Sequence, residues 1–335
     1  VHAPEIDFLM MEEVLFFAFF LLWTYLAGFH PEAHGTEKFM DYGFMEAMMR
    51  STTLPARDLW YSEGHINYYY GGQYFAVFLT KLSHTKVELT YNLMRTFVAG
   101  LAFAMPFSLV YQMMSDRMKG LQKSEKVIKG LPFAAGFTAG TAVSIAGNMH
   151  YVIYAQIIPL IEKLTGKEVS SYWFPDATRY IGYNPYREED RTIHEFPCYS
   201  FVLGDLHAHV VNIMFVLLVI ALLYVWLRGV RKKTVPVEAS MKDGKFWKEQ
   251  LLMPHLLVIS ALLGMFQWTN FWDFVIYYVV TLGTVLFANI IRFQGKIKKI
   301  IVVTFAQMAE IYLLAYLVIL PFTLQFDTMV DGIGI

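Results

Sequence analysis

The chain predicts an all-α fold, a polytopic helical bundle built into a membrane. Three observations predict it. Hydrophobic residues make up 56% of the chain and charged residues only 16%, with a mean hydropathy of +0.42, whereas soluble domains are about a quarter charged. The apolar residues gather in runs that approach or reach the roughly 20 residues needed to cross a bilayer core. Lys and Arg concentrate in some of the connections between those runs, as cytoplasmic loops do.

The first run is 14–28, "VLFFAFFLLWTYLAG". A second follows at 89–113, and a Gly- and Ala-rich one at 131–146. Four more lie at 210–227, 252–266, 274–291 and 300–320, giving about seven spans. The connections 115–130, 228–248 and 292–299 are basic, and they alternate so that all three can face the cytoplasm. Residues 29–88 and 147–209 then form two long external loops of a multi-pass protein of the cytoplasmic membrane. The segment 267–273 and the tail after 320 fall on the same outer side.

The whole of 1–335 reads as a single membrane domain. It opens on "VHAPEIDF" without an initiator Met and stops at "DGIGI", so it is expected to be the N-terminal part of a longer chain. Cys198 is the one cysteine, which leaves no intramolecular disulfide framework. The net charge is -1 and no basic tract alternates with aromatics, so nucleic acid is not an expected partner. No Walker loop, dinucleotide fingerprint or Ser-His-Asp signature is present.

Within the first external loop, "MDYGFMEAMMRS" (40–51) puts Met40, Phe44, Ala47 and Met48 on one helical face. A short helix lying flat at the interface fits. Pro55 pushes its predecessor out of helix, so "TLPARDLW" reads as a turn and an extended piece. In "INYYYGGQYFAVFLTKL" (66–82) the tyrosines suit the headgroup layer, and 72–82 reads as a second interfacial or half-inserted helix. As a full span it would turn the basic connection 115–130 outward. The Gly pair at 71–72 signals a hinge or close packing. Most acids of the loop read as solvated. Asp41 is the exception, because a carboxylate on the apolar side of a short helix is costly unless paired or used.

The second loop ends in "FPCYSFVLGDLHAHV" (196–210). Asp205, His207 and His209 can hold a divalent metal or a phosphate, act in acid–base or substrate hydrogen bonding, or simply cap the following helix through Asp205. The pair His194–Glu195 can join the cluster. In "TNFWDF" (269–274), Asn270 and Asp273 read either as a cap beside an aromatic belt or as a substrate contact. Glu310 lies inside the last span, where an acid is a functional candidate. Gln307, one turn earlier, is a plain alternative partner for it.

Six motifs occur in order: "GTEKFMDYGFM", "DLWYSEGHINYYYGGQY", "YNL", "FPCYSFVLGDLHAHV", "TNFWDF" and "DGIGI". Together they resemble the Chlor_Arch_YYY membrane family, a domain of unknown function named for its triple Tyr. The resemblance spans nearly the whole chain. Where the family usually has a Pro between the two His residues, Ala208 stands here. That family is similar in layout to the GT-C glycosyltransferases, which take sugar from a polyprenyl-phosphate carrier and keep a key acid in the first external loop.

The resemblance implies Asp41 or Glu37 as the catalytic carboxylate. Lys38, Asp58, His65, Asn67, Tyr68, Tyr69, Tyr70, Glu195, Trp272 and Asp273 are the candidate substrate-binding residues, the Tyr and Trp rings because apolar sugar faces stack on them. Transfer from a lipid phosphate needs a base for the acceptor hydroxyl and positive charge for the leaving phosphate. Lys38, His65, Arg179, Arg187, Arg191 or a divalent cation on Asp205, His207 and His209 can supply that charge. A transporter or flippase for a lipid-linked or sugar substrate would use the same polar positions without chemistry.

Overall fold

The computed structural model describes residues 3–35, 37–119, 125–179, 181–183, 186–187, 191–232 and 240–328. The "DGIGI" motif at 331–335 and the middles of two basic connections, 120–124 and 233–239, lie outside them. The described residues are helical, with isolated bridges such as Arg57 to His65 and no strands.

Twelve α-helices are described: α1 (Ala3–Ala27), α2 (Lys38–Arg50), α3 (Gly71–Leu82), α4 (Val87–Met118), α5 (Glu125–Ser144), α6 (Ile158–Leu164), α7 (Pro197–Leu203), α8 (Ala208–Lys232), α9 (Gly244–Leu251), α10 (Pro254–Thr269), α11 (Phe271–Phe293) and α12 (Ile297–Thr323). Four of them, α4, α8, α11 and α12, are long and apolar enough to cross a membrane. The pair α9–α10, bent by 50° at its break, makes a fifth candidate. This is fewer than the seven spans expected. The runs 14–28 and 131–146 are helical, within α1 and α5, but each falls short of about 20 apolar residues. The first half of α1 carries Glu5, Asp7, Glu12 and Glu13, and α5 is rich in Gly and Thr. At 12 residues, α3 is too short to span.

The chain divides into two compact units. The first comprises Val1–His30 and Ala99–Gly204. Its packing rests on small residues. A Cβ on Gly136 or Gly140 would land 2.7 Å from the carbonyl oxygen of Phe107 or Phe103, so the four-residue Gly spacing lets α5 lie directly on α4. Phe19 of α1 stacks on Phe103. Trp23 donates to Ser144 Oγ at 3.1 Å, and that hydroxyl donates to the Ala99 carbonyl at 3.0 Å.

The second unit comprises Pro31–Val98 and Asp205–Ile335. Here α10 packs against α8, α11, α12 and α3. Leu256, Ile259, Leu263 and Phe266 of α10 are fully buried among residues of α8, α11 and α12. Gly264 permits the closest approach, since a Cβ there would sit 2.5 Å from the Ala315 carbonyl oxygen. The Gly pair at 71–72 is likewise a packing device. A Cβ on Gly71 would strike Trp268, and one on Gly72 would strike Val211, each at 2.8 Å. This seats the start of α3 against α10 and α8, beside the turn that holds Asp205 and His207.

Candidate functional site

The site lies within the second unit, where α2, α3, the start of α4 and the turn before α8 meet. The buried face of α2 is Lys38, Asp41, Phe44, Met45, Ala47 and Met48. Asp41 therefore shares the helical stripe that drives α2 into the unit, and its side chain is 0% exposed. Met40, expected on that stripe, is only partly covered.

One residue that sequence reasoning passed over holds the site together. Gln73, two residues into α3 and fully buried, donates through Nε2 to Asp41 Oδ1 and to the Leu206 carbonyl, both at 2.9 Å. A single amide thus ties α2 to the turn before α8. His207 follows Leu206, and its Nε2 lies 2.9 Å from Glu37 Oε2 and 3.9 Å from Asp41 Oδ2. Asp41 Oδ2 has no hydrogen-bond partner among the described residues. Exposure rises along the series, from Asp41 at 0% through His207 at 12% to Glu37 at 64%.

The electrostatics follow from burial. Desolvation pushes the Asp41 carboxyl up to about 7, with Asp205 and Glu37 adding to the rise and His207 and Gln73 opposing it. Lys38 is held below its ordinary range, first by burial and then by the Arg95 charge, while Asp205 and Glu32 pull it back. Arg95 and Tyr91, on the first turns of α4, are almost completely buried and interact electrostatically with Asp205. Neither was expected in the site. An Arg inside an apolar run is a signal that could have flagged one of them.

The structure places the remaining expected residues at several points of the chain. Asp205 is buried and faces the cations Lys38 and Arg95. His209 is exposed, with its ring 5.9 Å from that of His207. Glu195 is exposed and belongs to the first unit. Asp58 accepts from the backbone N–H groups of Trp60 and Tyr61 at 2.7 and 2.9 Å, shaping a turn. His65 is exposed and lines a polar cleft of about 640 Å³ with Arg50 and Arg57.

Asn67 exchanges two backbone hydrogen bonds with Asp327, and Tyr69 and Tyr70 pack on Phe326 and Phe322. These three residues dock the end of α12 and the segment after it. Tyr68 packs against Phe44. Trp272 is largely exposed, as interfacial Trp residues are. Asp273 accepts from Asn212 at 2.6 Å and Asn270 at 2.8 Å. Gln307 does not serve Glu310; it pairs with Asn289 and the Gln250 carbonyl.

The long apolar helices agree with what the family comparison finds. Residues 2–335 match the family described as uncharacterized membrane protein (DUF2298). The chain belongs to this family. No curated protein and no solved structure matches the chain. A carboxyl with a pKa near neutrality can gain and lose a proton under ordinary conditions, which suits general acid–base work.

Proposed function

We propose that this protein is an integral membrane glycosyltransferase of the GT-C type. It moves a sugar from a polyprenyl-phosphate carrier to a hydroxyl acceptor at the outer face of the cytoplasmic membrane. In this reading 29–88 is the first external loop, α1 and α5 complete a seven-span bundle, and Asp41 is the catalytic base.

The observation that carries the reading is the state of Asp41. Its carboxyl is buried, fixed at one oxygen by Gln73, without a hydrogen-bond partner among the described residues at the other, and poised at about 7. An acceptor hydroxyl that reached Oδ2 would lose its proton there as its oxygen attacked the sugar. Glu37 is mostly exposed, so it can swing off His207 and open the way. Lys38 and Arg95 bring two positive charges to the same cluster, which favours a leaving phosphate. Asp205 sits against those cations, and this favours a role in holding them over metal ligation. A divalent metal held by His207 and His209 stays part of the proposal only as an addition to that charge.

Lipid analysis of a deletion strain tests the reading. Accumulation of a polyprenyl-phosphate sugar that wild-type protein clears and Asp41→Asn does not is the expected result. A normal carrier pool would end the proposal.

Transport without chemistry is the second reading, and Glu310 favours it. This acid lies midway along α12, and its Oε2 has no hydrogen-bond partner among the described residues. A deletion phenotype rescued by Asp41→Asn but not by Glu310→Gln would move the function to transport.

A further inference from the structure

A cavity at the far end of α8 stands apart from the site. It has a volume of about 620 Å³, and its lining includes Leu222, Trp226, Gly229, Leu252, Met253 and Arg292, all of the second unit. The last turns of α8, the break between α9 and α10, and the end of α11 form its walls. Pro254 has no N–H to give, and α9 meets α10 at 50°, so the backbone turns away and leaves the space open. Leu222 lies 14 residues along α8 from Ala208, or roughly 20 Å at 1.5 Å per residue. The cavity therefore does not belong to the Asp41 site.

Its polar wall is built around a charge. Arg292 donates to Asn289 Oδ1 at 3.1 Å and to the side-chain oxygen of Gln250. Asn289 in turn donates to Thr304 and Gln307, and Gln307 donates to the Gln250 carbonyl. The amides that orient the guanidinium are neutral, so they fix its direction without cancelling its charge. Glu249 is the acid on the rim, and it is exposed. His255 lines the same space. The chain adds Arg228, Arg231, Lys232, Lys245, Lys248 and Lys296 at this end of the helices. Basic pockets between spans at the positively charged face of a membrane protein hold anionic headgroups.

We infer that this cavity binds one anionic glycerophospholipid of the bilayer, its phosphate on Arg292 and the start of an acyl chain along Leu222, Trp226 and Leu252. A guanidinium fork matches phosphate oxygens. The apolar wall matches a chain that inorganic phosphate lacks. A zwitterionic lipid has the same phosphate but brings its own cation beside it, so it leaves the positive charge of this end uncompensated. The volume falls in the range of ligand pockets.

The test uses the full chain in nanodiscs, with phosphatidylglycerol in phosphatidylcholine, followed by detergent extraction and native mass spectrometry. Wild-type protein should keep one phosphatidylglycerol and no phosphatidylcholine. Gly229→Leu fills the space from a position whose Cβ would meet nothing within 4 Å, so it blocks the cavity without disturbing packing. It should lower retention at least tenfold, as should Arg292→Gln. If Arg292→Gln does not fold, Gly229→Leu decides alone. Equal retention of both lipids by the wild type, or full retention by Gly229→Leu, overturns the inference. So does thermal protection by millimolar inorganic phosphate equal to that by phosphatidylglycerol, which would leave an anion site without a lipid.

Discussion

Two polar clusters of the second unit, both close to the start of α8, differ in how completely their groups are satisfied. In one, Thr269 donates to Asn212 Oδ1 at 2.7 Å, Asn212 donates to Asp273, and Asn270 donates to the same carboxylate oxygen. Each polar group serves the next, and the result clamps α8, α10 and α11 together. In the other, Asp41 is anchored at Oδ1 while its Oδ2 and the side-chain oxygen of Gln73 are buried without hydrogen-bond partners among the described residues. Buried polar atoms are normally paired, and leaving one unpaired costs about 1–3 kcal/mol. The first cluster is spent on architecture. The second leaves capacity for a further hydrogen bond, which supports the proposal that Asp41 is the base.

Substitutions can break this contrast. Asp41→Asn has the largest expected effect. It keeps the Gln73 contact and removes the proton acceptor, so transfer should fall about 10²–10⁴-fold, roughly 3–5 kcal/mol of barrier. The same change should stabilise the fold at high pH. A carboxyl whose folded pKa is raised from 3.8 to about 7 holds extra protons in the folded state across that window. Its contribution to stability is therefore full below about pH 4 and is lost as pH rises through about 7. At pH 8 the Asn variant should be more stable by something on the order of 4 kcal/mol, at about 1.4 kcal/mol per unit. The advantage should vanish near pH 4. Thermal melts of both proteins between pH 4 and 8 check this, and an Asn variant that is less stable throughout would contradict it.

Asn212→Ala should behave in the opposite way. It leaves a buried hydroxyl and a carboxylate short of partners, costing about 1–3 kcal/mol of stability. Turnover per folded molecule should stay unchanged. A variant that folds normally but loses turnover would place Asn212 and Asp273 in the site and erase the distinction.

Gln73→Met sharpens the comparison. Without the amide donor the ionised form of Asp41 loses support, so the midpoint of any pH–rate profile should move upward. A downward move would mean that Gln73 does not stabilise the carboxylate. Asn67→Ala should have the smallest effect. It removes the two backbone bonds to Asp327, worth about 1 kcal/mol or less each at an exposed position, and melting curves should shift by only a few degrees.

Part of this was legible in the sequence. Asp41 stood out because an acid on an apolar helical face needs a reason. Both long loops read as lying on one side of the membrane, and Asp41 and His207, one from each, lie 3.9 Å apart. The all-helical membrane character followed from composition. By length and apolarity the described residues hold four spans, or five with the bent α9–α10 pair, because a run such as 131–146 can be apolar and still owe its place to Gly-mediated packing on α4. Gln73 was passed over since one amide in a short apolar helix carries no periodic signal, and its function lies in reaching two segments far apart in sequence. Arg95 was missed inside a span treated only as an anchor. The link from Asn212 to Asp273 joins residues 61 positions apart, which no local pattern reports. Asp58 accepts from backbone two and three residues on, a local pattern, whereas Asn67 bonds to the backbone of Asp327, 260 positions away.

The most direct test of the central claim is a transfer assay in proteoliposomes carrying a polyprenyl-phosphate sugar, run across pH for wild type and Asp41→Asn. With Asp41 as the base, the wild-type rate rises through about pH 7 and levels above it, while the Asn variant stays low and flat. Equal rates in the two proteins across the same range would contradict the account.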